Sequence, residues 1–153
     1  MYTKEQASSI KQAFWKAFGQ YMALHVSADG EKINWINYKT GIKHLAFKMQ
    51  ADNKRACIFI EMAQPDPGIQ ELMFAQFQEL KKILNSFLQE DWLWEMHVPN
   101  EHHQTVSRII CCIEDVNIFK QEDWPTLISF FKPRIMALDE FWSNAQYGFE
   151  LFK

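Results

Sequence analysis

Residues 55–62 read Arg-Ala-Cys-Ile-Phe-Ile-Glu-Met, and this stretch decides the fold. Its centre is apolar at consecutive positions, which is typical of an interior strand that is covered on both faces. Residues 43–49 alternate apolar and polar side chains, and Ala51-Asp52-Asn53-Lys54 forms a turn between the two stretches. Because short connections join antiparallel neighbours, we expect a β-hairpin here.

Three more stretches complete the predicted sheet. Residues 32–39 read Lys-Ile-Asn-Trp-Ile-Asn-Tyr-Lys, which is a strand-like pattern that ends at Thr40-Gly41. Residues 92–98 and 105–113 flank a turn at residues 99–103, and this arrangement predicts a second hairpin. We therefore expect a mostly antiparallel sheet of five strands.

Helical patterns lie before, between and after the predicted strands. Thr3 and Gln6 have the spacing of a capping box, and the helix that they open is expected to reach about residue 25. Residues 69–88 carry one wide apolar face, which predicts a single long helix. The last helix is expected from Asp123 to about residue 149, with a kink or break at Pro133, because proline lacks an amide hydrogen.

The order of these elements is α-βββ-α-ββ-α. Runs of antiparallel strands separated by helices are typical of an α+β fold, and we expect the helices to pack on one face of the sheet. No internal repeat, low-complexity stretch or linker interrupts the chain, and 48% of its residues are apolar. Residues 1–153 are therefore predicted to form a single domain with a substantial core.

Charge and cysteine content bear on the compartment and on the partners. The net charge is −3, so the chain lacks the basic excess of a strong nucleic-acid binder. The three cysteines are Cys57, Cys111 and Cys112, an odd number without a disulfide framework, which favours a reducing compartment. The polar N-terminus and the absence of a long apolar stretch predict neither a signal peptide nor a membrane partner, so we expect a cytoplasmic location.

Several motifs along nearly the whole chain resemble those of one bacterial family. The motifs are the Phe14-Trp15 helix, the Asn37-Tyr38-Lys39-Thr40-Gly41 corner, the Trp94-Glu95 strand paired with Ser107-Arg108-Ile109, and Glu122-Asp123-Trp124-Pro125 with its helix to Phe141-Trp142. Together they are similar to DUF4268, a domain of unknown function. The resemblance implies a bacterial cytoplasmic protein, and it suggests a link with DNA processing or defence only by association with nuclease-like segments.

The usual catalytic and metal-binding patterns are incomplete. Asp52 and Glu61 have the order of the acids in a metal-dependent nuclease, but Met62-Ala63 stands where the lysine would follow. His102 and His103 are adjacent in a predicted turn, so their side chains should diverge rather than hold a metal ion. With no glycine-rich phosphate loop or nucleophile elbow, we predict no catalytic residue, no metal site and no cofactor.

Aromatic and charged residues on the predicted strands are the candidate binding surface. The six candidates are Trp35, Tyr38, Lys39, Glu61, Trp94 and Arg108. Sheet aromatics beside basic residues bind single-stranded nucleic acid in several folds, whereas the alternative is that these aromatics fill the core between sheet and helices.

Three hypotheses about function follow. The first is a non-enzymatic protein-interaction domain that binds another protein, or a second copy of itself as a homodimer, through a sheet face or an open strand edge. The second is a nucleic-acid-associated accessory module. The third is a small-ligand-binding domain or enzyme with a pocket near Glu61, Trp94 and Arg108.

Overall fold

The computed structural model describes residues 2–153, so Met1, the first residue of the predicted domain, lies outside the described chain. In chain order the helices and strands are α1 (Lys4–Met22), β1 (Leu45–Ala51), β2 (Arg55–Met62), α2 (Pro67–Glu79), α3 (Lys81–Leu88), β3 (Leu93–Pro99), β4 (Thr105–Glu114) and α4 (Trp124–Ala145). Short 3-10 helices at Gln121–Asp123 and Gln146–Phe152 flank α4. The predicted α+β class is confirmed.

The sheet has four antiparallel strands in the order β1-β2-β4-β3, not the five that the sequence predicts. The predicted strand at residues 32–39 is irregular. The side chain of Asn34 accepts hydrogen bonds from the backbone N–H groups of Ile36 and Asn37, at 3.1 Å each, and so bends the chain into a turn. Trp35 is buried and donates its indole N–H to the carbonyl oxygen of His25 at 3.2 Å.

The helices differ from the sequence expectations at Leu80, where one predicted helix is two, and at Pro133, where the break that was one of two predicted outcomes does not occur. The predicted helix over residues 69–88 is two helices, because the backbone leaves helical geometry at Leu80, where φ is −99° and ψ is 10°. Conversely, α4 runs through Pro133 without a break. Pro133 and Ser129, the residue four positions earlier, are both exposed, so water can replace the hydrogen bond that the proline cannot donate.

The interior position of β2, between β1 and β4, explains its continuous apolar run. One face of the strand carries Ala56, Ile58, Ile60 and Met62, which belong to the main core beneath the helices. Cys57 and Phe59 point to the opposite face and form a small second cluster with Ile110 of β4. We call this opposite side the open face of the sheet, since the helices pack against the other one. None of the helices in residues 2–153 is apolar enough over sufficient length to cross a membrane.

Candidate functional site

A row of four alternating charges crosses the open face from β1 to β3. Lys48 Nζ lies 2.8 Å from Glu61 Oε1, and Arg108 Nε lies 2.6 Å from Glu95 Oε1. Glu61 and Arg108 are direct cross-strand partners, so the two ion pairs are neighbours. Glu61 is only 6% exposed, and a buried carboxylate is tolerated because a lysine pairs with it. Glu61 is therefore a strand carboxylate that a lysine of the neighbouring strand neutralises.

A cavity of about 540 Å³ extends from the open face to the outer edge of β1. Its lining includes residues 49–52 without interruption, Lys11 and Trp15 of α1, and residues 99–101 at the tip of the β3–β4 hairpin. Consecutive strand residues point to opposite faces, so a cavity that contacts all of residues 49–52 lies along the strand edge. We call this cavity the edge cleft.

The hairpin tip is held over this cleft by a contact with β1. Gln50 donates its side-chain N–H to Glu101 Oε1 at 3.2 Å, although β1 and β3 are at opposite edges of the sheet. The β3 strand carries a bulge between Glu95 and Val98, and His97 within it has a φ of 54°. Bulges bend and twist a strand, which directs the hairpin tip across the open face.

The spacing of the strands identifies which backbone groups of β1 face the edge cleft. Cys57 and Cys112 are directly opposite, with Cα atoms 4.1 Å apart, the close spacing of an antiparallel pair that exchanges no backbone hydrogen bonds. The backbone groups of Cys57 therefore turn to β1, where its partner is Gln50. Because the direction alternates along a strand, Met49 and Ala51 direct their N–H and C=O groups to the unpaired edge.

Three cations line the edge cleft, and they differ in how fully they are paired. Arg108 is bound to Glu95, as described above. The nearest Arg55–Glu114 approach is 3.8 Å, too long for a hydrogen bond, and no ion pair in residues 2–153 involves Lys11. Lys11 and Arg55 are therefore cations that no carboxylate of residues 2–153 binds at hydrogen-bond distance, although Lys11 Nζ lies 5.8 Å from the centre of the Phe119 ring and Arg55 Nη2 donates to cysteine sulfurs.

Cys57 and Cys112 are joined by a disulfide across β2 and β4. The interpretation of the three cysteines as a set without a disulfide framework is therefore wrong for this pair. The pairing follows from strand register, which places the two residues opposite each other although 55 positions separate them in sequence. The adjacent Cys111 keeps a free thiol and points to the opposite face, because neighbouring strand residues alternate in direction. Burial, together with the nearby charge of Glu90, raises the pKa of the Cys111 thiol, so it is a poor nucleophile at neutral pH.

The structure separates the six candidate residues into three groups. Glu61 and Arg108 both line the edge cleft. Trp94 lies on the helix side, with its ring 5.6 Å from that of Phe74 and 5.4 Å from Lys81 Nζ. A pocket formed by Glu61, Arg108 and Trp94 together is therefore not present in the described chain. As binding residues, all six remain predictions.

The other three candidates, Trp35, Tyr38 and Lys39, are in the irregular segment between α1 and β1. Tyr38 and Lys39 line a second cavity of about 370 Å³ together with Asp139 of α4, whereas Trp35 is buried in the core. Trp35 and Tyr38 therefore do not form a stacking platform on the sheet.

Asp139 is a buried residue that the sequence interpretation missed. It is 5% exposed, and its carboxylate accepts hydrogen bonds from the Ala28 backbone N–H at 2.7 Å and from the Tyr38 hydroxyl. Burial, and then the hydrogen bond to Asp139, raise the pKa of Tyr38 far above its ordinary value. The sequence does contain a signal of this burial, because Asp139 has the helical spacing of the apolar stripe that Ile135 and Trp142 form in the last helix. Its contacts anchor the irregular segment to α4.

Two further observations bear on the site: the arrangement of possible metal ligands, and the comparison with known families. Within residues 2–153, no group of three or more His, Cys, Asp or Glu side chains converges as metal ligands would. No curated protein and no solved structure matches the chain. The family described as "Domain of unknown function (DUF4268)" matches residues 10–146, a range that contains all four strands. The chain therefore belongs to the DUF4268 family.

Proposed function

We propose that this chain is a non-enzymatic protein-interaction domain, and that it binds an extended segment of another protein as an added strand along β1. The observation that supports this proposal is the edge cleft, which follows residues 49–52 along the unpaired edge of the sheet. An added strand obtains affinity from main-chain hydrogen bonds and specificity from the side chains on either side of it.

The two edges of the sheet differ in a way that supports β1 as the binding edge. On β3 the bulge interrupts pairing between Glu95 and Val98, and bulged edges resist the addition of another strand. On β1 all seven residues, Leu45 to Ala51, pair in unbroken register with β2. Met49 and Ala51 therefore offer regularly spaced donors and acceptors to an incoming chain.

The charges of the cleft favour an acidic segment. Lys11 and Arg55 have donors that no carboxylate in residues 2–153 occupies at hydrogen-bond distance, and Trp15 supplies an apolar wall beside Lys11. A carboxylate side chain on the incoming segment would accept hydrogen bonds from both cations. Hydrogen bonds between charged groups are stronger than those between neutral groups. We therefore propose a partner segment that is extended and carries Asp or Glu.

The proposal is tested by selecting a displayed library of random peptides against the protein. We expect enrichment of acidic, extended sequences, and Met49→Pro should weaken the selected peptides at least about tenfold, since proline removes an edge donor. Met49→Val is the matched control, because it keeps the N–H group and an apolar side chain. Circular dichroism checks that both variants fold. No enrichment, or equal binding to the two variants, would overturn the proposal.

The small-ligand and nucleic-acid hypotheses predict different outcomes when binding is measured. A small-ligand site is supported by the presence of Glu61 and Arg108 in one cleft, and it predicts that Met49→Pro leaves ligand binding intact. A nucleic-acid module predicts salt-dependent binding of DNA or RNA that Lys39→Ala or Arg108→Ala reduces. A homodimer, in which a second copy supplies the added strand, would be seen by light scattering. The bacterial cytoplasm is the setting that we propose on the family resemblance.

A further inference from the structure

The Cys57–Cys112 disulfide lies at an accessible position on the open face. Cys57 lines the edge cleft and is 8% exposed, while Cys112 is more exposed than Cys57. Both side chains belong to the small cluster with Phe59 and Ile110, outside the main core beneath the helices. A thiol from solvent can therefore approach the disulfide from the open face, with Cys112 Sγ as the more accessible sulfur.

Arg55 is placed to stabilise negative charge on either sulfur. Its Nη2 atom lies 3.2 Å from Cys57 Sγ and 2.9 Å from Cys112 Sγ. An adjacent guanidinium favours the thiolate over the thiol, and a thiol of lower pKa is a better leaving group when a disulfide is opened. Arg55 is itself a half-exposed side chain whose carboxylate neighbour, Glu114, is 3.8 Å away, so it can follow the sulfurs as they separate.

The sheet keeps the two cysteines together after the bond opens. Cys57 and Cys112 are partners within an antiparallel ladder of eight residue pairs between β2 and β4. The strands are also tied to the core by Ile58, Ile60 and Ile109, which are all fully buried. The reduced thiols therefore stay opposite each other, and the bond can form again without a search for its partner.

We propose that Cys57 and Cys112 form a redox-active pair that exchanges with low-molecular-weight thiols of the glutathione class. The thiolate of one glutathione attacks Cys112 Sγ, the Cys57–Cys112 bond breaks, and Cys57 leaves as a thiolate beside Arg55. A second glutathione thiolate then attacks the sulfur of the bound glutathione and releases the Cys112 thiolate. Two glutathione molecules lose two electrons to the pair and leave as one disulfide, and their two protons pass to solvent or to the cysteines. In a reducing compartment, such a bond is characteristic of redox sensing.

The full chain, oxidised in air, is the starting material for the test. It is incubated in buffers of graded reduced-to-oxidised glutathione ratio, quenched in acid, denatured and alkylated, and the alkylated thiols are counted by mass spectrometry. We expect one alkylated thiol, Cys111, at the oxidising end and three at the reducing end, with the same curve from either direction. A pair that stays oxidised at every ratio, or three alkylated thiols from the start, would overturn the proposal.

Variants of Arg55 test how the pair is activated. Arg55→Gln should slow reduction by glutathione roughly threefold or more, whereas Arg55→Lys, which keeps the positive charge, should slow it less. Lys54→Gln is the matched control for a lost positive charge in the same turn, and we expect it to leave the rate unchanged. Equal rates for Arg55→Gln and Lys54→Gln would show that the guanidinium does not assist the exchange.

Discussion

Replacing Asp139 with alanine is expected to destabilise the protein and to release the irregular segment between α1 and β1. The substitution removes the acceptor of two hydrogen bonds, from the Ala28 backbone N–H and from the Tyr38 hydroxyl. A hydrogen bond to a charged group contributes about 1.5–3 kcal/mol. Ala28 is exposed and Tyr38 is half-buried, so water can reach both donors in the variant. Each of the two bonds is therefore assigned the lower end of this range, about 1.5 kcal/mol, so the expected loss in the free energy of unfolding is about 3 kcal/mol.

Urea denaturation and thermal melting measure this loss. For a domain of this length, about 3 kcal/mol corresponds to a fall in Tm of roughly 6–12 °C. Asp139→Asn keeps one acceptor oxygen, so about half of the effect is expected. Limited proteolysis should cut faster within residues 23–44 in the alanine variant, because Ala28 and Tyr38 anchor that segment to α4.

The matched control is Glu140→Ala, the adjacent position on α4, where the side chain is exposed. A surface substitution of this kind should change the free energy of unfolding by no more than about 0.5 kcal/mol. A loss of less than about 1 kcal/mol for Asp139→Ala, or unchanged cleavage of residues 23–44, would refute the anchoring role that we assign to this carboxylate.

Two further predictions concern pH and reduction. Because the folded protein raises the pKa of Tyr38 above its unfolded value of about 10, the stability from this group is complete below that pH and decreases above it. Urea denaturation in alkaline buffers should show this decrease in the wild type and a smaller one in Tyr38→Phe; equal slopes would contradict it. Reduction of the Cys57–Cys112 bond, whose partners are 55 residues apart, should lower the free energy of unfolding by about 4 kcal/mol through loop-closure entropy. Denaturation with and without dithiothreitol measures this change, and a Cys57→Ala/Cys112→Ala variant insensitive to the reagent is the control.

Local sequence patterns predicted the strands whose pairing partners are close in sequence. The apolar run of β2 and the two hairpins were recognisable because strand period and turn chemistry are local. Residues 32–39 were mistaken for a strand, since alternating apolar residues also occur in a loop that packs its side chains inward, as Trp35 does. The break at Leu80 had no signal, because neither glycine nor proline is present there.

The features of the candidate site depend on contacts between distant parts of the chain. Glu61 and Arg108 were among the six predicted candidate residues, but the Cys57–Cys112 bond requires the register of β2 against β4, which no local pattern contains. The edge cleft likewise depends on where α1 and the hairpin tip lie relative to β1. Sequence reasoning therefore found charged residues of the site and offered an open strand edge as one possible binding surface, but it did not identify β1 as that edge.

Amide hydrogen exchange along β1 tests the central claim most directly. In the free protein, the amides of Met49 and Ala51 should exchange much faster than those of Lys48 and Gln50, which donate to β2. Addition of a selected acidic peptide should protect Met49 and Ala51 and leave Lys48 and Gln50 unchanged. Uniform slow exchange along β1 in the free protein, or a bound peptide that protects neither Met49 nor Ala51, would contradict strand addition at this edge.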